Sequence, residues 1–478
     1  MSERGHDLRN TLFSTATIYI EYVVGMVASV LVARELEPTR YGKYSLILWM
    51  VGIGVAFTNS GTSTAMIKFV AELRGGRNEV MIPTLVRFLR RAQLAFLVAV
   101  AVIGGLVLWS SYHKLLPDYD QRLVFAVLLV AVSLRAPYML NIALAKGFNN
   151  FRATAIITGI VTPINFLMVV AAWFLHASVL GFLLVYLVSG MFLFAVSRWQ
   201  VGRLEKPLGR GEPMAPDFRR RVIRHMRIVA VTVAVTFLGA SDIELLFLNL
   251  YDTAAAGGQF KVAYQLAAGA TLLVPGVFSA LLLPMMSEAV MQGKDRIRRR
   301  FVDSTLYLTM LAVPLMVFGV VFSAPIIGVL YGVDYAPAAL VFAVVLCAGC
   351  ITTMAHGASS LLLSADRQHQ ILILSLFMTV LKLLLDWWWI RLAGLDGAAA
   401  ANFTVAVIGA VAIMALALRT LRARLAWGRR LRVVVAGLVA ALAAGPLQQL
   451  LPPWPRQPAG CAGGAPAEAF ATRCRRCG

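Results

Sequence analysis

The chain has 478 residues, of which 59% are apolar and only 14% charged, with a net charge of +21. A soluble chain of this size carries about 25% charged residues, so the composition excludes an ordinary globular enzyme and places the chain in a membrane. Five cysteines in this length give no disulfide framework.

Residues 1–10 are polar and precede an apolar run, 11–33, that is long enough to span rather than to act as a cleaved leader. A second run, 45–66, follows at once. A crossing needs about 20 residues, and both runs supply them. The connection 34–43 is charged and broken by Pro38 and Gly42, so it reads as a tight turn between two membrane helices. Further runs occur at 92–110, 123–144, 153–175, 178–197, 228–250, 262–290, 304–330, 338–363, 370–392, 395–418 and 433–451. With the first two they make thirteen candidate spans.

Placing the N-terminus in the cytoplasm assigns 31 lysines and arginines to inside segments and seven to outside loops, Lys261 and Arg391 among the seven. The positive-inside rule then sets the orientation. The same count explains most of the net charge without a polyanionic partner. Basic residues scattered over many loops make no nucleic-acid groove.

The richest inside connection, 198–227, holds Pro207, Pro213, Pro216 and Arg219 to Arg221, and reads as a linker touching anionic lipid headgroups. On either side the chain repeats. Gly42-Lys43-Tyr44 lines up with Gly258-Gln259-Phe260 and Glu72 with Glu288, both at an offset of 216. Gly76 and Gly293 match at 217, and Gly147 and Ala365 at 218. An even number of spans per repeat gives two lobes of the same orientation related by an axis along the membrane normal. The expected fold is all-α and polytopic. Residues 1–197 form one six-helix lobe, 198–227 the basic linker and 228–418 the second six-helix lobe. An additional span lies in 419–451, and 452–478 is irregular. That last stretch is rich in Pro, Ala, Gly, Cys and Arg. It reads either as a disordered tail or as a frame-shifted end standing where a fourteenth span would be.

Charges inside spans are rare and costly, so each is a candidate for function. They are Glu21, Arg135, Asp242, Glu244, Lys382 and Asp386. Lys382 and Asp386 stand at i and i+4 and can neutralise each other. Asp242 and Glu244 would face opposite ways on one continuous helix. Glu21 and Arg135 have no partner within one turn and must find one on another helix or face water. Six prolines inside spans, Pro137, Pro163, Pro275, Pro284, Pro314 and Pro325, predict kinks. Cys347 and Cys350 suit helix packing, because no histidine accompanies them at zinc spacing. No Gly-x-x-x-x-Gly-Lys-Ser/Thr run is present, which argues against direct ATP drive. No cofactor and no metal are assigned.

The pattern Ala33-Arg34-x-Leu36 followed by Tyr41-Gly42-x-Tyr44-Ser45-Leu46, with the two-lobe repeat, resembles the polysaccharide and oligosaccharide flippases. These belong to the multidrug/oligosaccharidyl-lipid/polysaccharide exporter superfamily, and the resemblance covers roughly residues 10–420. It implies a non-enzymatic carrier in the bacterial inner membrane. Its cargo would be an undecaprenyl-pyrophosphate-linked oligosaccharide for surface polysaccharide assembly. Membrane lipids, a polysaccharide polymerase and chain-length machinery would be its partners. Arginine's planar fork suits a pyrophosphate, which makes Arg135 the first candidate, with Arg34 and Lys382 behind it. Glu21, Asp242, Glu244 and Asp386 are candidates for ion coupling. A multidrug exporter of the same superfamily would favour an acidic cavity. A membrane-embedded polymerase or ligase would have only His113, Asp118 and Asp120 in the longest outside loop to work with. A non-transporting scaffold is the remaining alternative.

Overall fold

The computed structural model describes residues 3–76, 78–205, 209, 211–239, 243–273, 282, 285–289, 292–365 and 367–421. Among the described residues every regular element is helical. Seven helices are long and apolar enough to cross a membrane by length and composition. The expected thirteenth span, 433–451, and the tail lie outside the described residues.

Helix α1, Glu3–Thr58, covers the first expected span and residues 45–58 of the second, and the chain turns sharply inside it at Glu37 (φ 58°, ψ 165°). Pro38 follows. It lacks an N–H and disfavours helical geometry in the residue before it, so the hairpin turns where the sequence places it. Next come α2 (Thr62–Gly75), α3 (Ile82–Leu115), α4 (Gln121–Gly147), α5 (Phe151–Phe174) and α6 (Val179–Glu205). The second half contains α7 (Pro216–Leu238), α8 (Ile243–Tyr251), α9 (Ala254–Leu273), α10 (Lys294–Val321) and α11 (Ser323–Tyr331). It ends with α12 (Ala338–Met354), α13 (His356–Ser364) and α14 (Gln368–Leu421).

Several expected spans are broken. Residues 304–330 divide at Phe322 between α10 and α11, and 338–363 divide at Ala355 between α12 and α13. The last two described spans are the halves of α14, separated at Gly394 (φ 53°, ψ −126°). A Cβ at Gly394 would collide with the Asp252 carboxylate, whose Oδ2 accepts from Leu395 N at 3.0 Å and so caps the second half of α14. Only glycine fits both the left-handed backbone and the close carboxylate.

The two ends of the molecule differ. At the basic-loop end, α2 buries Met66, Phe69, Val70 and Leu73 against Leu85 and Leu89 of α3 and Val222 and Met226 of α7. The sequence reading leaves 68–91 as a loop, yet its apolar residues fall at helical spacing and form this small core. Arg90 and Arg198 both reach Glu205, at 2.6 and 3.0 Å, tying α3 to α6.

At the hairpin end, α1 and α9 cross almost backbone to backbone. A Cβ built on Gly42 would collide with the Ala254 carbonyl and lie 3.0 Å from Gly258 N. A Cβ built on Gly258 would collide with the Pro38 carbonyl and lie 3.0 Å from Gly42 N. Pro38 and Ala254, like Gly42 and Gly258, are 216 residues apart. The two contacts are therefore mates of each other at the repeat offset, as a two-fold contact requires. Above this crossing Tyr335 is buried, and its hydroxyl donates to Ala33 O at 2.9 Å.

Candidate functional site

Below the hairpin crossing, α1, α4, α5, α6, α7 and α9 line a cavity of about 410 Å³. Its walls are mixed in character. Tyr41, Tyr44, Trp49, Phe182 and Phe237 give flat apolar surface, and Ser29, Ser45, Asn165, Gln265, Lys261 and Arg135 give polar contact. Ser29 Oγ lies 2.8 Å from the Tyr41 hydroxyl and donates to Gln265 Oε1 at 3.0 Å, joining α1 to α9 across the cavity.

Arg135 is half-buried on α4, two residues before Pro137. Its guanidinium carbon lies over the Tyr186 ring, 3.6 Å from the centroid. Such a contact contributes about 2 kcal/mol where water is excluded and fixes the plane of the fork. Arg135 makes no ion pair with another described residue, and its Nε has no hydrogen-bond partner. The structure thus presents a positioned cation that lines the cavity, with its Nε buried and unpartnered. Next to Pro137, Gln93 Nε2 donates to Ala136 O at 2.8 Å and to Asn59 Oδ1 at 2.7 Å.

The three cations expected to hold phosphate lie in three places. Arg135 lines the central cavity. Arg34 sits at the hairpin end, where Nη2 donates to Val329 O at 2.6 Å. Lys382 lines a second cavity, of about 500 Å³, on the other half of the chain. Lys261, counted in sequence as a loop charge, stands instead on α9 and lines the cavity with Arg135. The repeat carries the signal for it. At the offset of 216, Ser45 corresponds to Lys261 and Trp49 to Gln265, and all four line the same cavity.

The acidic candidates also separate. Glu21 is exposed on α1, one turn before the cavity residue Gly25, and feels the charges of Arg135 and Lys146. Asp242 lies outside the described residues. The expected placement of Asp242 opposite Glu244 on one helix therefore falls outside the described residues as well. Glu244 and Asp386 come together with Lys382, all three being 4% exposed or less. Lys382 Nζ donates to Asp386 Oδ2 at 2.9 Å, the pairing that i and i+4 predict, and also contacts Glu244 Oε1. Asn402 Nδ2 donates to Glu244 Oε1 at 3.1 Å. Glu244 Oε2 and Asp386 Oδ1 are buried without a hydrogen-bond partner.

A third hollow, about 360 Å³, lies at the side of the molecule. Apolar residues of α1, α3, α4 and α8 line it, and it shares Trp49 with the central cavity.

No curated protein matches the chain. Among solved structures, that of "Lipid II flippase MurJ, inward closed conformation" aligns with a TM-score of 0.69 at 12% identity, covering 93% of this chain and 94% of that one. An inward-facing multidrug resistance MATE family transporter of the MOP superfamily aligns at 0.66 and 13%, covering 84% and 95%. A MOP superfamily transporter from Pyrococcus furiosus, described as having a binding pocket of reverse polarity, aligns at 0.56 and 13%, covering 87% and 96%. At these identities the likeness shows the fold, which is that of the MOP transporters. The sequence profile of the family described as "Polysaccharide biosynthesis protein" matches residues 8–290, more than half of the chain. The chain belongs to the polysaccharide biosynthesis protein family, with the multi-pass helical fold shared by the MurJ flippase and the MATE transporters.

Proposed function

We propose that this protein flips a lipid-linked oligosaccharide across the bacterial inner membrane, by opening its central cavity to one side and then the other. The observation that carries the reading is Arg135: a guanidinium over the Tyr186 ring, without a carboxylate partner among the described residues, lining a cavity that Lys261 also lines. Two cations and a bidentate fork suit a pyrophosphate. The polar and aromatic walls suit sugar, and the lateral apolar hollow joined through Trp49 suits an isoprenoid chain. The multidrug alternative, with cationic cargo, is disfavoured by the same two cations. The reciprocal contact of Gly42 and Gly258 supports two lobes packed about a pseudo-twofold axis. The 31-to-7 bias of basic residues supports a cytoplasmic N-terminus and puts the hairpin end outside.

Two measurements test this reading. In vesicles of bacterial lipid holding the purified protein, undecaprenyl-pyrophosphate-linked oligosaccharide should become accessible to an enzyme on the far side. Equal rates with and without protein refute flipping. For orientation, Gly209→Cys in a variant whose native cysteines are replaced by alanine should be protected from an impermeant thiol reagent in intact cells. Gly209 has open space around it, so a cysteine there meets no neighbour and costs only the strain of its left-handed backbone, φ 68°. Ready labelling from outside would invert the topology.

A further inference from the structure

Helix α9 turns one face to each of two cavities. Lys261 and Gln265 line the central one, whereas Tyr264, Ala268 and Thr271 line the cavity of about 500 Å³ in the second half. The spacing is helical, i and i+4 against i, i+4 and i+7, so α9 is a wall between them. Helix α1 divides in the same way, with Gly25 and Ser29 on the central cavity and Tyr22 on the other. The two cavities differ in hydrogen-bonding character. The central one offers cationic donors, Arg135 and Lys261. In the second, the hydroxyl protons are spent on main-chain carbonyls. Thr352 and Thr353 both donate to Gly349 O, at 2.8 and 2.7 Å. Thr271 donates to Ala267 O and Ala268 O, each at 3.0 Å, and Tyr22 donates to Gln265 O at 3.2 Å. All four line the second cavity. A hydroxyl has one proton and two lone pairs, so what these groups have left is acceptor capacity. Lys382 adds no free charge, because its Nζ contacts both Glu244 Oε1 and Asp386 Oδ2.

We infer that this second cavity is a saccharide site, which takes one or two neutral sugar units by accepting hydrogen bonds from their hydroxyls. An anion has no proton to give and would meet lone pairs. A quaternary cation likewise donates nothing. A ligand with many O–H groups and no charge matches the wall, and Tyr22 and Tyr264 add aromatic surface for its apolar faces. The volume is that of an ordinary small-molecule site, about 300–1,000 Å³. The two sides of α9 then suit the two polar parts of one cargo, donors for phosphate and acceptors for glycan. The inference rests on the cargo reading above for the source of the sugar, and on the chemistry of the wall for its binding.

The test is saturation-transfer NMR on the purified full-length protein in nanodiscs of phosphatidylethanolamine and phosphatidylglycerol, a bilayer with no sugar of its own. The probes are two neutral disaccharides, maltose and N,N′-diacetylchitobiose, without lipid or phosphate. At least one should receive saturation from the protein, and a titration should give its Kd. Thr352→Val and Thr271→Val keep side-chain shape and delete an acceptor, so each should weaken binding about fivefold, the worth of one neutral hydrogen bond. Thr232→Val removes a hydroxyl that makes the same kind of bond, to Ile228 O at 3.1 Å, but lines neither cavity, and should change nothing. Ala268→Leu fills the cavity without removing a polar group and should abolish binding, which keeps the test decisive if a valine variant fails to fold. No transfer to either disaccharide in wild type overturns the saccharide site, and so does unchanged binding in folded Ala268→Leu. Saturation of tetraphenylphosphonium instead, lost in Ala268→Leu, also overturns it and assigns the cavity to cationic cargo. None of these readings involves transport. Flipping without sugar binding removes this site alone, and sugar binding without flipping removes the cargo reading alone.

Discussion

Arg135→Ala is expected to abolish export of surface polysaccharide in a strain that depends on this protein, with the protein inserted, folded and at normal abundance. An arginine at mid-span can serve either as half of a buried ion pair or as a ligand group. Truncating half of a buried pair strands the other charge and costs about 3–5 kcal/mol of stability. Arg135 pairs with no described carboxylate and rests on Tyr186, so its removal strands nothing of that kind. What is lost is a charge-assisted contact with the cargo, each hydrogen bond being worth about 1.5–3 kcal/mol. Two such bonds correspond to a loss on the order of 100-fold or more, at about 1.4 kcal/mol per tenfold. Arg135→Lys keeps the charge and loses the fork, so it should retain part of the activity. Lys261→Ala should weaken export less than Arg135→Ala, since a lysine binds phosphate as a point charge. Normal export by Arg135→Ala at normal protein level would remove Arg135 from the site and, with it, the pyrophosphate reading of the cavity.

Why Arg135 was legible in sequence and Lys261 was not follows from where each sits. A charge in the middle of an apolar run stands out because the bilayer makes it expensive. Lys261 lies three residues past Gly258 of the hairpin crossing, where a hydropathy window sees only a loop charge. Its place in the cavity shows only when the register of the repeat pairs it with Ser45. The link between Lys382 and Asp386 was legible for the opposite reason: it is local, set by one turn of helix. Their third member, Glu244, is 138 residues away from Lys382 along the chain, and only the packing of α8 on α14 brings it there. The same limit applies to helix breaks. Pro38 announces the hairpin and Pro325 the division beside it at Phe322, but the division at Ala355 falls inside an apolar run that hydropathy reads as continuous. The repeat offset is the exception among long-range features. It was visible in the glycines themselves, and the structure puts one pair of them, Gly42 and Gly258, in contact.

That contact makes the second large effect predictable. Gly42→Val and Gly258→Val are each expected to open the hairpin end. At both positions the atoms that a Cβ would meet are backbone, the Ala254 and Pro38 carbonyls and the facing glycine nitrogen, so no side chain can swing away to make room. The helices α1 and α9 must separate. Overpacking of this kind costs about 1–3 kcal/mol, and the whole cost falls on the conformation in which the two helices touch. A conformation open at this end does not bear it. A cost of about 3 kcal/mol shifts the ratio of the two conformations by roughly 150-fold. Thiol labelling from outside at Gln265→Cys, which lines the cavity beneath the crossing, should therefore rise sharply in either valine variant. Gly75→Val, at a helical glycine with nothing near its missing Cβ, should leave labelling unchanged. The two effects should also not add. Once either valine has parted the helices, the second meets little resistance, so the double variant should cost much less than the sum of the singles. Unfolding would be a different result, with low abundance and labelling at sites throughout the chain. Unchanged labelling at Gln265→Cys in well-folded Gly258→Val would mean that the crossing of α1 and α9 is not the barrier on that side of the cavity.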